Sequence, residues 1–281
     1  MSPLKEATIA IVGTGAMAEA MIAGLLSGGH VAAAQVVASD PRVERREAVE
    51  AKYGIRTTGS NAEAAEGADV VVLAIKPQML LKVGRELSAV LAPEQVVISI
   101  LAGSTSKALG NALRHDAVVR AMPNTPAQLG KGMTVWCATD QVSELQREQA
   151  AALLTSLGKE IYVEDEKYVS MSTAVSGTGP AYVFMVMEAL IDAAVHLGFP
   201  RHIAHDLVIE TLLGGTLLAQ ESGDHPAYLR NMVTSPAGTS AAAIAEMERG
   251  RLRTVLSEAV FAAYRRTEEL GRELEEETAA E

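Results

Sequence analysis

Cysteine is nearly absent from the 281 residues: Cys137 is the only one. An intrachain disulfide is therefore impossible, a Cys-rich structural zinc site is excluded, and a reducing compartment fits. Aromatic residues make up only 4%, and Lys plus Arg (24) fall short of Asp plus Glu (35), for a formal net charge of −11. No basic stripe is available to neutralise a phosphate backbone, which argues against a nucleic-acid partner. Internal repeats and low-complexity segments are also missing. The start, Met1 to Gly29, is apolar, but Glu6 and Glu19 interrupt it and no cleavage-like site follows, so it does not read as a signal peptide. The longest uncharged stretch, Tyr168 to Met187, is long enough to span a bilayer. Gly177, Gly179 and Pro180 within it would leave backbone groups unpaired in lipid, so it reads as a loop entering a buried helix. A soluble, cytoplasmic protein without a membrane partner is expected.

What is present is a globular composition, 48% hydrophobic and 21% charged, in a chain long enough for two domains. The first half alternates apolar runs with helical patterns. The runs are Thr8 to Val12, Val36 to Ser39, Val70 to Ala74, Val96 to Ile100 and Val118 to Ala121, with candidate edge strands at Thr134 to Ala138 and Glu160 to Val163. Met17 to Leu26, Val43 to Lys52 and Met79 to Leu91 have helical spacing. Unbroken Val/Ile runs alternating with helices predict a doubly wound, mostly parallel sheet, an α/β domain of Rossmann type over residues 1–166. From Lys167 to Glu281 the pattern is all-α: Ala181 to Leu197, Ile203 to Glu221, Ala241 to Glu248 and Leu252 to Leu274. Ala181 to Leu197 is apolar nearly all round and must be buried on most faces. A domain of roughly 115 residues cannot bury several such helices alone, so a second copy of the chain is their natural cover. The acidic tail from Glu268 to Glu281 is expected to fray.

The chemistry-bearing motif is Gly13-Thr14-Gly15-Ala16-Met17-Ala18, a GxGxxA between the first strand and the first helix. The first Gly makes the tight turn, the second lets the backbone approach a pyrophosphate, and Ala18 lets helix and strand pack closely. The helix N-terminus adds unpaired N–H groups and partial positive charge. A structural turn is the plainer alternative. Asp40, at the end of the second strand, is placed to bind the ribose hydroxyls of NAD, whereas Arg42, Arg45 and Arg46 would attract the 2′-phosphate of NADP. Asp40-Pro41 also fits a plain turn with Asp capping the next helix. The cofactor is NAD or NADP, with the preference open. If Asp40 meets the ribose, replacing it by Ser moves the preference toward NADPH. Ala74-Ile75-Lys76-Pro77 and Ser99 to Gly103 lie at the carboxyl ends of strands, where such sheets bind ligands. Lys76 reads equally as a solvated loop residue, and Pro77 as an ordinary helix starter.

Two Ser/Thr/Gly-rich patches, Ser176 to Tyr182 and Thr234 to Ser240, each precede a helix and could present donors to a carboxylate. Helix capping accounts for either alone. His202-x-x-His205 has no acidic residue completing a site, so no metal is expected, and His225-Pro226 reads as a loop.

Together these motifs resemble the pyrroline-5-carboxylate reductase family over nearly the whole chain. The carriers are the glycine loop with Met17-Ala18, then Ile75-Lys76-Pro77, Met122-Pro123-Asn124-Thr125-Pro126, Ser176-Gly177-Thr178-Gly179-Pro180-Ala181-Tyr182 and Ser235-Pro236-Ala237-Gly238-Thr239-Ser240. The resemblance implies a Rossmann domain followed by a helical dimerisation domain. It also implies reduction of L-1-pyrroline-5-carboxylate to L-proline with NAD(P)H, and homodimers that can form a decamer of five dimers. It places Val12, Gly13, Thr14, Gly15, Ala16 and Met17 at the pyrophosphate, and Ser39, Asp40 and Asn61 at the adenosine. Ala74, Ile75, Lys76, Pro77, Ile100, Leu101 and Ala102 fall on the nicotinamide side. The small-molecule substrate falls to Ser235, Gly238, Thr239 and Ser240, with Ser176 and Thr173 nearby, and no residue stands out as an obligate catalytic acid. The C-terminal motif departs from the family pattern, with Ala237 and Ser240 where Gly and Thr are usual; Ser240 keeps the hydroxyl. Asp40 stands where many members carry a neutral residue. A β-hydroxyacid dehydrogenase would share the glycine loop but needs a helical Lys, and Lys167 is the last lysine in the chain. A non-enzymatic redox sensor would need only the first domain.

Overall fold

A computed structural model describes residues 2–280. The chain forms two compact units. One runs through Pro180 and resumes at Ala262; the other is Ala181–Phe261.

The first unit holds an eight-stranded sheet: β1 (Ile9–Val12), β2 (Val36–Ser39), β3 (Arg56–Thr58), β4 (Val70–Leu73), β5 (Val96–Ser99), β6 (Val118–Met122), β7 (Gly132–Ala138) and β8 (Gly158–Tyr162). Their order is β3-β2-β1-β4-β5-β6-β7-β8. All neighbours are parallel except β6 and β7. Around it lie α1 (Ala16–Ser27), α2 (Val43–Tyr53), α3 (Asn61–Ala65), α4 (Leu80–Leu87), α5 (Ser106–Leu113) and α6 (Glu144–Thr155). Alternate side chains of each strand face opposite helical layers. Ile9 and Ile11 join Met21, Ile22, Leu25 and Leu153 on one face. Ala10 and Val12 join Leu80, Leu87, Leu109 and Leu113 on the other. Burial on both faces is why β1, β2, β4 and β5 read as unbroken apolar runs. The strand order reverses between β1 and β4, and the crevice at their carboxyl ends is where such sheets bind ligands.

The helical part comprises α7 (Lys167–Ser172), a π-helical turn (Thr173–Gly177), α8 (Gly179–His196), α9 (Arg201–Ser222), α10 (Pro226–Met232), α11 (Thr239–Arg249) and α12 (Leu252–Ala279). Tyr168 to Met187 is helical almost throughout rather than a loop entering a helix; Pro180 is tolerated because it sits in the first turn of α8, where its missing N–H has no partner to lose. Nor is α8 buried by its own chain: none of its residues is buried, and Phe184 is 60% and Met185 73% exposed. Lys167–His196 is long and apolar enough to cross a membrane by length and composition, but its first turns lie under β7, with Val169 packed on Val135 and Cys137.

His225-Pro226 is the start of a helix rather than a loop. The His225 ring nitrogen accepts from the Ala227 N–H at 3.2 Å, capping α10.

Among its described residues the acidic tail does not fray. α12 continues to Ala279, with Thr267, Gly271, Leu274 and Thr278 buried. These four recur at helical spacing, so one stripe docks while Glu268, Glu269, Glu273, Glu276 and Glu277 face outward. Leu274 joins the cluster of Leu109 and Leu113. Thr105 donates to Glu275 at 2.7 Å.

Candidate functional site

β1 ends at Gly13, whose φ of +96° belongs to glycine. A Cβ there would stand 2.6 Å from the carbonyl oxygen of Ala74. Only a hydrogen atom fits where the loop crosses the end of β4. The Gly13 N–H donates to the Ser39 carbonyl at 2.8 Å, fixing the loop to β2. Gly15 then caps α1 with extended backbone, and a Cβ at Gly15 would meet nothing within 4 Å. That open space lies before the first amides of α1, which have no intrahelical partner. The arrangement fits a pyrophosphate: a cradle with no side chain in it, facing the positive end of a helix.

The residues expected here divide into two groups. Gly13, Gly15, Met17, Asn61, Ala74, Ile75, Pro77, Ile100 and Ala102 are partly accessible, and Ala16 and Lys76 are exposed. Val12, Thr14 and Ser39 are fully buried, with Asp40 and Leu101 nearly so. These five shape the crevice from beneath. Ser39 Oγ donates to Asn61 Oδ1 at 2.7 Å, and Asn61 Nδ2 donates to Glu86 at 2.7 Å. Asp40 accepts from Thr14 and Arg42.

Burial opposes ionisation of Asp40, but the donors from Arg42 and Thr14 outweigh it and hold its carboxyl well below the usual carboxylate range. Glu19, in the first turn of α1, accepts from Lys52 and Arg45, which lower its pKa to about 2. Arg45 also donates to the Thr14 carbonyl. The three arginines read as phosphate ligands are thus engaged with the protein's own loop, Arg46 reaching the Asp40 carbonyl at 2.8 Å.

Beyond β6, Asn124 ties the π turn to the sheet. Its Nδ2 donates to the Ser176 carbonyl at 3.0 Å, and its Oδ1 accepts from the Met133 N–H at 2.9 Å. π turns inside helices recur at functional sites because they displace carbonyls from the regular ladder. Thr173 Oγ1 donates to the Val169 carbonyl and Ser176 Oγ to the Ser172 carbonyl, so both hydroxyl protons are taken by carbonyls of α7. Asn124→Ala should leave one amide and one carbonyl unpaired and lower stability by about 1–3 kcal/mol, read from the urea midpoint. Asn124→Asp keeps the bond to Met133 but sets an acceptor against the Ser176 carbonyl. It should be no more stable than the alanine variant.

An ion pair on a buried arginine escaped the sequence reading. Arg120, 3% exposed, donates to Glu166 at 2.8 Å and to Ser170 at 3.1 Å, and Glu166 also accepts from the Ser106 N–H at 2.6 Å. A charge inside the run Val118 to Ala121 was the available signal. The cluster fixes the start of α7 to the N-terminus of α5.

In the second unit, Ser235 to Ser240 forms a tight turn into α11. The Gly238 N–H donates to the Ser235 carbonyl at 3.1 Å, and Ala237 takes φ +58°, a left-handed conformation in which glycine is the unstrained choice. Thr239 and Ser240 occupy the first turn of α11, where backbone amides have no helical partner. Thr239 is exposed and Ser240 partly so.

Comparison with known proteins gives this geometry a family. Residues 166–270 match the family described as pyrroline-5-carboxylate reductase dimerisation, and residues 8–103 match that described as NADP oxidoreductase, coenzyme F420-dependent. A pyrroline-5-carboxylate reductase of Pseudomonas aeruginosa is 43% identical over 95% of this chain and 97% of its own. The structure of the Coxiella burnetii enzyme aligns with a TM-score of 0.87 at 35% identity, covering 94% of this chain and 98% of that one. The Plasmodium falciparum enzyme, solved with NADP bound, aligns at 0.87 with 26% identity over 95% and 99%. With a two-unit fold, a glycine cradle at the reversal of the sheet and relatives of this identity along their full length, the chain belongs to the pyrroline-5-carboxylate reductase family.

Proposed function

We propose that the protein reduces L-1-pyrroline-5-carboxylate to L-proline, the last step of proline biosynthesis, as a soluble cytoplasmic homo-oligomer. The observation that carries this reading is the side-chain-free cradle between Gly13 and the first amides of α1, in which a Cβ at Gly13 would collide with Ala74. Bound there, NAD(P)H supplies the hydride that reduces the C=N carbon of the ring.

The chain's own groups bind and orient. The amides opening α1 hold the pyrophosphate, Asn61 meets the adenosine, and Ala74 to Pro77 with Ile100 and Ala102 line the nicotinamide side. Thr239 and Ser240, with the amides of their turn and Ser235 and Gly238, hold the substrate carboxylate. Serine and threonine hydroxyls at a helix N-terminus suit a carboxylate because the helix dipole favours negative charge there. None of these groups is a strong acid. The ring nitrogen takes its proton before reduction, as the iminium, or from water. Catalysis then rests on holding two reactants at near-attack distance. Ser240→Ala should therefore raise KM for the imino acid more than it lowers kcat. Unchanged kinetics would remove Ser240 from the site.

The second unit carries Phe184, Met185, Leu190, Leu213 and Leu217 in water. Apolar area of this extent marks an interface. A second copy of the chain covers it in a homodimer, and the family resemblance extends this to a decamer of five dimers. Division of labour follows the chain: residues 1–166 bind the dinucleotide, and 167–281 bind substrate and dimerise.

A further inference from the structure

We infer that Asp40 is a positioning residue that clamps the glycine loop from beneath, and not the reader of the coenzyme's ribose. The inference rests on the coenzyme-binding reading above and concerns how that site is held.

The carboxylate is saturated. Oδ2 accepts from the Thr14 N–H at 3.1 Å, from Thr14 Oγ1 at 2.8 Å and from Arg42 Nη2 at 3.0 Å. Oδ1 accepts from the Arg42 N–H at 3.0 Å and from Arg42 Nε at 2.9 Å. A carboxylate offers about four lone-pair sites, and five donors already address them. The residue is 4% exposed and Thr14 is fully buried. A ribose hydroxyl would have to displace a donor from a buried, charge-assisted set.

The consequence for the loop is direct. Thr14 is the x between the two glycines, and both of its donors point down to Asp40. Arg45 holds the Thr14 carbonyl from the other side, and Arg46 holds the Asp40 carbonyl. Every polar group of Thr14 is therefore anchored to the segment from Asp40 to Arg46. That anchoring fixes where Gly13 and Gly15 stand and where the first amides of α1 point. Since both coenzymes share the pyrophosphate, an effect through the loop falls equally on NADH and NADPH. A ribose contact would discriminate between them.

The test is calorimetric titration of the intact oligomer with NADH and with NADPH, for the wild type, Asp40→Asn and Thr14→Val. The valine keeps the shape of Thr14 and removes only the hydroxyl donor. Each variant should raise both dissociation constants by a similar factor, about tenfold for a lost hydrogen bond to a charged group. In turnover, KM for the coenzyme should rise by more than kcat falls. Asp40→Asn tightening NADPH while weakening NADH would overturn the inference, and so would unchanged affinity for both coenzymes in Thr14→Val. Should Asp40→Asn fail to fold, Thr14→Val carries the same test alone. Wild-type protein that takes up neither coenzyme would instead contradict the broader functional reading.

Discussion

Replacing Gly13 by alanine should abolish coenzyme binding. Two independent costs meet at this residue. Its φ of +96° strains any residue with a Cβ, by about 1–2 kcal/mol. The new carbon would also stand 2.6 Å from the Ala74 carbonyl oxygen. That oxygen belongs to backbone, because the Ala74 N–H is bonded to the Val12 carbonyl at 2.9 Å and cannot swing aside as a side chain would. The loop must move instead, taking the first amides of α1 with it. Gly15→Ala is the informative partner: its Cβ meets nothing within 4 Å in the protein, so the variant should fold normally. If it too loses coenzyme affinity, the open space at Gly15 is what the pyrophosphate occupies. Fluorescence titration with NADH and NADPH, beside thermal melts, separates the two cases. Wild-type affinity in Gly13→Ala would contradict this account of the cradle.

Charging the apolar face of α8 should break the oligomer and abolish activity. Phe184 is 60% and Leu190 40% exposed in the single chain, and α8 buries none of its residues. Within the second unit only Ala204 and Val208 of α9 are buried, so the unit has little core of its own. Burying a Phe or Leu side chain is worth about 1.5–3 kcal/mol. In a two-fold interface each substitution acts twice. Phe184→Glu with Leu190→Glu should therefore shift the mass by light scattering to that of a monomer. An unchanged oligomer would place the interface elsewhere.

What could be read from the residues alone depended on how completely local pattern and tertiary environment agree. β1, β2, β4 and β5 are buried on both faces and leave unbroken apolar runs, so their positions were legible to within a residue. β3 was not read, because it is a three-residue, largely polar strand at the edge of the sheet. α6 was missed although its Ser143–Gln146 capping box is a local signal. In the tail composition and spacing point opposite ways: Thr267, Gly271, Leu274 and Thr278 form a docking stripe among glutamates. The apparent conflict between Asp40 and the arginines arises from treating each charge as facing a ligand. Their mutual pairing depends on a turn that brings Arg42 back onto Asp40 and on burial of Thr14, neither of which has a sequence signature. The π turn likewise depends on Asn124, fifty-two residues before Ser176.

Purified protein given L-1-pyrroline-5-carboxylate and NADH or NADPH should consume the coenzyme at 340 nm and form L-proline in equal amount. Coenzyme that binds tightly but is not oxidised in the presence of the imino acid, with no proline formed, would contradict the proposed function.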